Sequence, residues 1–227
     1  KDNAVGAFLA HNSLLAPLVA LFLVGFVHLH GKPIADISET AVAYPWRIFL
    51  LIAVAMLLGD AMTGKTVFYP FHAEREKRER TGLFSFKGRP GAPFALIFPG
   101  GGFAYIGSLH EGFPLADVLS RKGYNAFVLY YRTGGPTVAY EDMAAALSWI
   151  FRHAEELEVS TQDYSLWGGS AGARMAADLG SYGAAAFGGD SVPRPATVVM
   201  AYTGHNRYTE SDPPTFAVVS RDDPIAS

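Results

Sequence analysis

Ser170 lies in Gly168-Gly169-Ser170-Ala171-Gly172, a G-x-S-x-G run. Tyr164-Ser165-Leu166-Trp167 before it reads as the end of an apolar strand, and Ala171 to Leu179 after it as the opening of a helix. A serine forced into a sharp strand-to-helix turn has its hydroxyl lifted clear of the sheet, with the next residue's N–H aimed at the same space. Small flanking residues let the two backbones pass close together. The run alone also fits a small residue in a tight turn, since the chain holds 24 glycines. A second element favours chemistry. Pro99-Gly100-Gly101-Gly102-Phe103 follows the strand-like Phe94-Ala95-Leu96-Ile97-Phe98. Its glycines can take positive φ and bring backbone N–H groups close to a bound carbonyl.

A serine hydroxyl attacks only if a base takes its proton and donors hold the oxyanion that forms. The N–H groups of Ala171, Gly101 and Gly102 are the expected donors, with a plain flexible turn as the alternative for Gly100–Gly102. The orienting acid is expected just after a later strand. Ala217-Val218-Val219-Ser220-Arg221-Asp222-Asp223-Pro224-Ile225 offers two. Asp223 is favoured because Pro224 would fix its turn, and Asp222 is second. Acids in this position also simply cap turns.

The histidine is the difficulty. In sites of this kind the chain order is serine, acid, histidine, and none follows Asp223 before Ser227. His11, His28, His30 and His72 lie in or near the apolar N-terminal region, and His153 reads as solvated on a helix. His110 and His205 lie near the expected pocket but out of order. The expectation is therefore a last strand and a histidine loop beyond Ser227. Phe103, Tyr131 and Tyr202 are candidates for a pocket lining, against the plainer reading of core aromatics. Arg132 and Asp142 are expected to form a buried pair that holds the loop after a strand, with recognition of a substrate carboxylate by Arg132 as the alternative.

These residues need a scaffold that delivers them to one edge. Strands are expected at Phe94–Phe98, Asn125–Tyr130, Tyr164–Trp167, Ala196–Ala201 and Thr215–Val219, bounded by Gly, Pro or Asp. Helices are expected at Phe113–Lys122, Tyr140–Glu156 and Ala171–Gly180. In the middle one Met143, Leu147, Ile150 and Phe151 share a face. Gly183 to Pro195 reads as a loop. Alternating strands and helices imply an α/β domain, a mostly parallel sheet with helices on both faces. Ligands then bind at the carboxyl ends of the strands, where both glycine motifs fall.

The first 65 residues differ. Ser13 to Leu29 and Ile48 to Leu58 are apolar runs joined by the polar link Gly31 to Thr40. A spanning helix needs about 20 apolar residues. The first run meets the lower limit, and the second does so when extended over Ala41 to Met62 with Arg47 inside. Residues 1–65 are thus read as an apolar helical hairpin and membrane anchor through residues 13–62, or as buried helices covering the domain that follows at 66–227. Glu74-Arg75-Glu76-Lys77-Arg78-Glu79-Arg80 reads as a solvated helix face or linker. Taken as a juxtamembrane basic cluster, it places the following domain in the cytoplasm. The net charge of −3 argues against a nucleic-acid partner, and the absence of cysteine excludes disulfides and thiolate chemistry.

From about Thr81 onward the chain resembles the α/β-hydrolase esterases of the acetyl-esterase and acetylxylan-esterase-like group. The resemblance rests on Ile97 to Phe103, His110-Glu111-Gly112-Phe113-Pro114, Gly123 to Arg132, Gly169-Ser170-Ala171-Gly172 and Pro213-Pro214-Thr215-Phe216. It implies an α/β-hydrolase fold, hydrolysis of a small carboxylic ester without metal or cofactor, Ser170 as nucleophile, Asp223 as acid and the glycine loop as oxyanion hole. Related lipases carry His before the three glycines, where Pro99 stands, and Arg174 follows the elbow where a small residue is frequent. A non-catalytic binding protein of this fold, or an acyltransferase or peptidase with the same nucleophile, are the competing readings.

Overall fold

The structure is a computed structural model that describes residues 66–71 and 81–223. The apolar runs within residues 13–62 and the charge run Glu74–Arg80 lie outside the described residues. Among the described residues no helix is long and apolar enough to cross a membrane. The described residues from Tyr69 onward fall in one compact unit.

A short strand β1 (Thr66–Pro70) comes first, then β2 (Gly82–Phe86) and β3 (Pro93–Phe98). A π-helical turn (Ser108–Gly112) leads into α1 (Phe113–Arg121), followed by β4 (Asn125–Tyr130) and α2 (Pro136–Arg152). β5 (Ser160–Gly169), α3 (Ala171–Tyr182), a 3₁₀ turn (Ala184–Phe187), β6 (Thr197–Ala201) and β7 (Thr215–Val218) complete the order. From β2 the strands lie side by side as β2-β4-β3-β5-β6-β7. β2 runs antiparallel to β4, and every later pairing is parallel.

Strand β3 sits at the centre because its residues serve two faces. Phe94, Leu96 and Phe98 join Met143, Leu147 and Ile150 of α2 and Met175, Ala176 and Leu179 of α3 in the main core. The alternate residues Ala95 and Ile97 point the other way by the two-residue period of a strand, and they too are buried. On that second face Gly112 meets the Val128 side chain of β4, which lets the turn before α1 lie close to the sheet. Prolines at the starts of α1 and α2 are tolerated because the first helical N–H groups have no partner within the helix. Asn125 clamps the β2–β3 turn. Its amide nitrogen donates to the Arg89 and Ala92 carbonyls at 3.0 and 3.2 Å, and its Oδ1 accepts from Gly88 N–H at 3.0 Å.

The parallel register carries the strand ends to one edge. Phe98 is level with Gly168, Gly169 with Ala201, and Ala201 with Val218. The five strands read from sequence are all present. The largest boundary differences lie in α2 and β5. α2 starts at Pro136 rather than Tyr140 and stops at Arg152, and β5 reaches back to Ser160. The stretch read as loop after α3 includes the 3₁₀ turn Ala184–Phe187. β1 and β2 were not expected. Gly82-Leu83-Phe84-Ser85-Phe86 is buried at every position, so it lacks the alternation that marks a half-exposed strand.

Candidate active site

Ser170 sits at φ 51° and ψ −117°, between the last residue of β5 and the first of α3. A non-glycine residue in that region is strained, and strain of this kind persists only where the surroundings impose it. Here glycines impose it. A Cβ on Gly172 would collide with the Phe98 carbonyl, and one on Gly168 with the Gly172 carbonyl. The first turn of α3 is thereby driven onto the ends of β3 and β5, and Ser170 takes the corner. Its N–H donates to the Ala201 carbonyl of β6 at 2.9 Å, and its carbonyl accepts from Ala173 N–H at 3.1 Å. α3 has no side-chain cap. Ala171 N–H is thus among the first helical donors that the helix itself cannot satisfy, at its positive dipole end.

The glycine loop leaves the neighbouring strand β3. Gly101 and Gly102 have φ of 132° and 62°. A Cβ on Gly101 would meet the Tyr105 carbonyl, whereas Gly102 faces open space. Gly101 O accepts from Ala104 and Tyr105 N–H at 3.0 and 3.2 Å, which turns the loop back on itself. The loop is also tied at its start and end. Tyr131 hydroxyl donates to the Pro99 carbonyl at 2.8 Å, and Gly134 N–H donates to the Phe103 carbonyl at 2.9 Å. A Cβ on Gly100 would lie 3.1 Å from Ser170 Cβ, so loop and elbow are in direct contact.

Tyr131 is 2% exposed, and burial drives its phenol well above the ordinary range with the Glu111 carboxylate adding to the rise. It braces the loop from within the core instead of lining an open pocket. Phe103 is half-buried and lies 6.3 Å from the Tyr140 ring, centroid to centroid. Tyr202 is at the surface, with its phenol over Gly169. Burial first, then the Glu111 carboxylate, pushes Tyr202 up to about 12. It is therefore protonated at neutral pH and can donate to that carboxylate.

Asp223 follows β7 in a turn closed by its own N–H to the Ser220 carbonyl at 3.2 Å. It is half-buried, while Asp222 is exposed. Pro224 lies outside the described residues. β5 and β7 are separated by one strand, so their carboxyl ends stand roughly 10 Å apart.

Among the described residues no histidine is hydrogen-bonded to Ser170. His110 is exposed, with Nε2 3.6 Å from Glu111 Oε1. His153 caps α2, stacked on Trp149 with its Nδ1 2.8 Å from the Trp149 carbonyl, so it is not the solvated residue its helix position suggested. His205 does not line an open pocket. Its side chain is 3% exposed and its Nε2 lies 3.8 Å from Asp178 Oδ1. The expected Arg132–Asp142 pair is formed. Asp142 is fully buried and accepts from Arg132 N–H at 2.8 Å and from Nε at 3.0 Å. Arg132 also reaches Glu141 at 2.8 Å. The pair fixes the loop after β4 that holds Phe103.

Sequence reading gave no role to Glu111, whose Oε2 accepts Gly100 N–H at 2.6 Å. Its place one turn ahead of Phe113-Pro114 was visible, but the contact spans 11 residues and depends on the π-helical turn. Among the described residues no group of acidic or histidine side chains is placed to hold a metal ion.

A parallel sheet flanked by helices, with a strained serine turn after β5 and a glycine loop after β3, defines an α/β-hydrolase fold. Comparison with known proteins agrees. Residues 90–195 match the BD-FAE family model. The chain is 29% identical over 79 residues to an acetylxylan esterase of Xylanibacter ruminicola, a match covering 34% of this chain and 16% of that protein. It is similar to the crystal structure of MGS-M1, an α/β hydrolase enzyme from a Medee basin deep-sea metagenome library, with 24% identity and a TM-score of 0.55. That alignment covers 70% of this chain and 72% of the other. It is also similar to an acetyl ester-xyloside bifunctional hydrolase from Caldicellulosiruptor lactoaceticus, with 19% identity and a TM-score of 0.53 over 66% and 72% of the two chains. The esterase-like family match thus covers residues 90–195, and the likeness of fold extends over about 70% of the chain.

Proposed function

We propose that this chain is a serine esterase acting on a small carboxylic ester of the acetyl type. The observation that carries the reading is Ser170 at φ 51° and ψ −117° between β5 and α3, in contact with the glycine loop. Ser170 Oγ attacks the ester carbonyl carbon as its proton passes to a base. The carbonyl oxygen gains charge and is held by the N–H groups of Ala171, Gly101 and Gly102. The C–O bond to the alcohol breaks, and the alcohol leaves with that proton. Water then releases the acyl group by the same steps. Asp223 is assigned as the acid that orients the base, supported by its turn at the carboxyl end of β7. The base is assigned to a group outside the described residues, since His153 and His205 are packed against Trp149 and Asp178 and His110 is an exposed side chain beside Glu111. The acetyl preference is suggested by the acetylxylan esterase and the acetyl ester-xyloside hydrolase among similar proteins. Phe103 and Tyr202 are proposed to border the acyl pocket. Residues 13–62 are proposed to anchor the domain at a membrane, on the apolarity of their sequence alone.

The test is turnover of a p-nitrophenyl ester series from acetate upward by the full chain and by Ser170→Ala. Turnover should fall with acyl length, and Ser170→Ala should lose it by roughly a million-fold. Wild-type rates in Ser170→Ala would overturn the assignment.

A further inference from the structure

The π-helical turn Ser108–Gly112 is one residue wider than an α-helical turn. Gly107 O accepts N–H groups from both Glu111 and Gly112, at 2.9 and 3.4 Å. The turn carries the Glu111 side chain back over the loop that leaves β3. Oε2 accepts Gly100 N–H at 2.6 Å, and Gly107 N–H donates to Gly100 O at 2.8 Å. Both backbone groups of Gly100 are therefore held by one short segment. Gly100 is also where loop and elbow meet. A Cβ there would lie 3.0 Å from Glu111 Oε2 and 3.1 Å from Ser170 Cβ. The same carboxylate accepts the Tyr202 hydroxyl, whose ring covers Gly169 from the β6 side. Glu111 thus touches the glycine loop directly and the serine turn through Tyr202. Its side chain is 20% exposed. A carboxylate accepting a backbone N–H makes a bond roughly twice as strong as a neutral one. That bond acts on a loop of three consecutive glycines.

We propose that Glu111 is the positioning residue of the oxyanion hole, a carboxylate latch that fixes Gly100, and with it Gly101 and Gly102, against Ser170. The proposal rests on the serine-esterase reading for its kinetic consequence, but the latch itself is a structural claim. Glu111 does not touch the reacting atoms. It sets the distance between the loop donors and the place where the oxyanion forms, so its loss acts on the transition state more than on substrate binding.

The experiment compares the full wild-type chain with Glu111→Ala, Glu111→Gln and Ser170→Ala. It reads kcat and KM on p-nitrophenyl acetate, and hydrogen exchange of the Pro99–Tyr105 segment. Glu111→Ala should lower kcat by about a hundredfold, the scale of one lost oxyanion donor, with KM within a few-fold. The same variant should exchange the segment about tenfold faster. Glu111→Gln keeps an acceptor oxygen for Gly100 N–H, so it should restore kcat to within about tenfold and recover most of the protection. If Glu111→Ala proves too unstable to purify, Glu111→Gln and Tyr202→Phe probe the same latch with milder changes. Unchanged exchange in the segment would overturn the proposal. So would a Glu111→Ala kcat within threefold of wild type while Ser170→Ala is inactive. If Ser170→Ala is itself fully active, the esterase reading falls, and the exchange result alone decides the latch.

Discussion

Strands β3 and β5, which end at the glycine loop and the Ser170 turn, stand in different surroundings from β7, which leads to Asp223. Every residue of β3 after Pro93 is buried, and β5 is buried through Tyr164, Ser165 and Leu166. All four residues of β7 are exposed, with Phe216 at 62% and Val218 at 51%. The loop after β3 is tied by Tyr131, Glu111 and Gly134, whereas the turn after β7 is closed by the Asp223 backbone bond to Ser220. The proposed nucleophile and oxyanion donors therefore rest on a well-packed interior. The proposed acid, Asp223, follows a strand whose residues are exposed in the described part of the chain. Donors aimed at a developing charge need sub-ångström placement, while an acid that orients a base acts through one hydrogen bond.

The comparison breaks most sharply at Asp223. Asp223→Asn should lower kcat/KM by roughly ten-thousand-fold, as in a comparable triad, while Asp222→Asn should change it little. A steady-state assay of both variants decides it, and a larger loss in Asp222→Asn would move the acid by one residue.

On the interior side, Arg132→Met should destabilise the domain by about 3–5 kcal/mol, because it takes the guanidinium away from the fully buried Asp142 carboxylate. Urea unfolding measures this. The double variant Arg132→Met/Asp142→Leu should recover most of the loss if the pair is the cause.

Gly101→Ala should lower kcat by about a hundred- to a thousand-fold, since φ of 132° and the nearby Tyr105 carbonyl leave no room for a methyl group. Its melting temperature should fall as well, since the loop backbone must shift to admit the methyl group.

The smallest effect is expected on β7 itself. In the 227-residue chain, Phe216→Ser should change stability by no more than about 0.5 kcal/mol, as at other exposed positions. Leu96→Ala in β3, at 0% exposure, should cost about 2–5 kcal/mol. Equal costs at the two positions would erase the contrast between interior and edge.

Much of this was legible in the residues. Asn125–Tyr130 was read to the residue, because a short apolar run bounded by Gly123 and the loop at Arg132 leaves little choice. The Ser170 turn followed from glycine spacing, and the Arg132–Asp142 pair from two opposite charges flanking a strand-to-helix loop. β2 was not legible, since burial on both faces removed its alternation. The early start of α2 was missed because Gly134-Gly135-Pro136 reads as a breaker, although proline is well suited to the first helical position. Glu111 was missed for a different reason. Its role exists only once the π-helical turn brings it over Gly100, and no local pattern encodes that contact.

The central claim is that Ser170 is an activated nucleophile in a strained turn. Its most direct test is labelling of the full chain with a fluorophosphonate probe, with mass mapping of the modified peptide and Ser170→Ala as the control. The account predicts one adduct, on Ser170, formed together with loss of ester turnover and absent from Ser170→Ala. No adduct on Ser170 in a chain that still turns over esters, or equal labelling of Ser170→Ala, would contradict it.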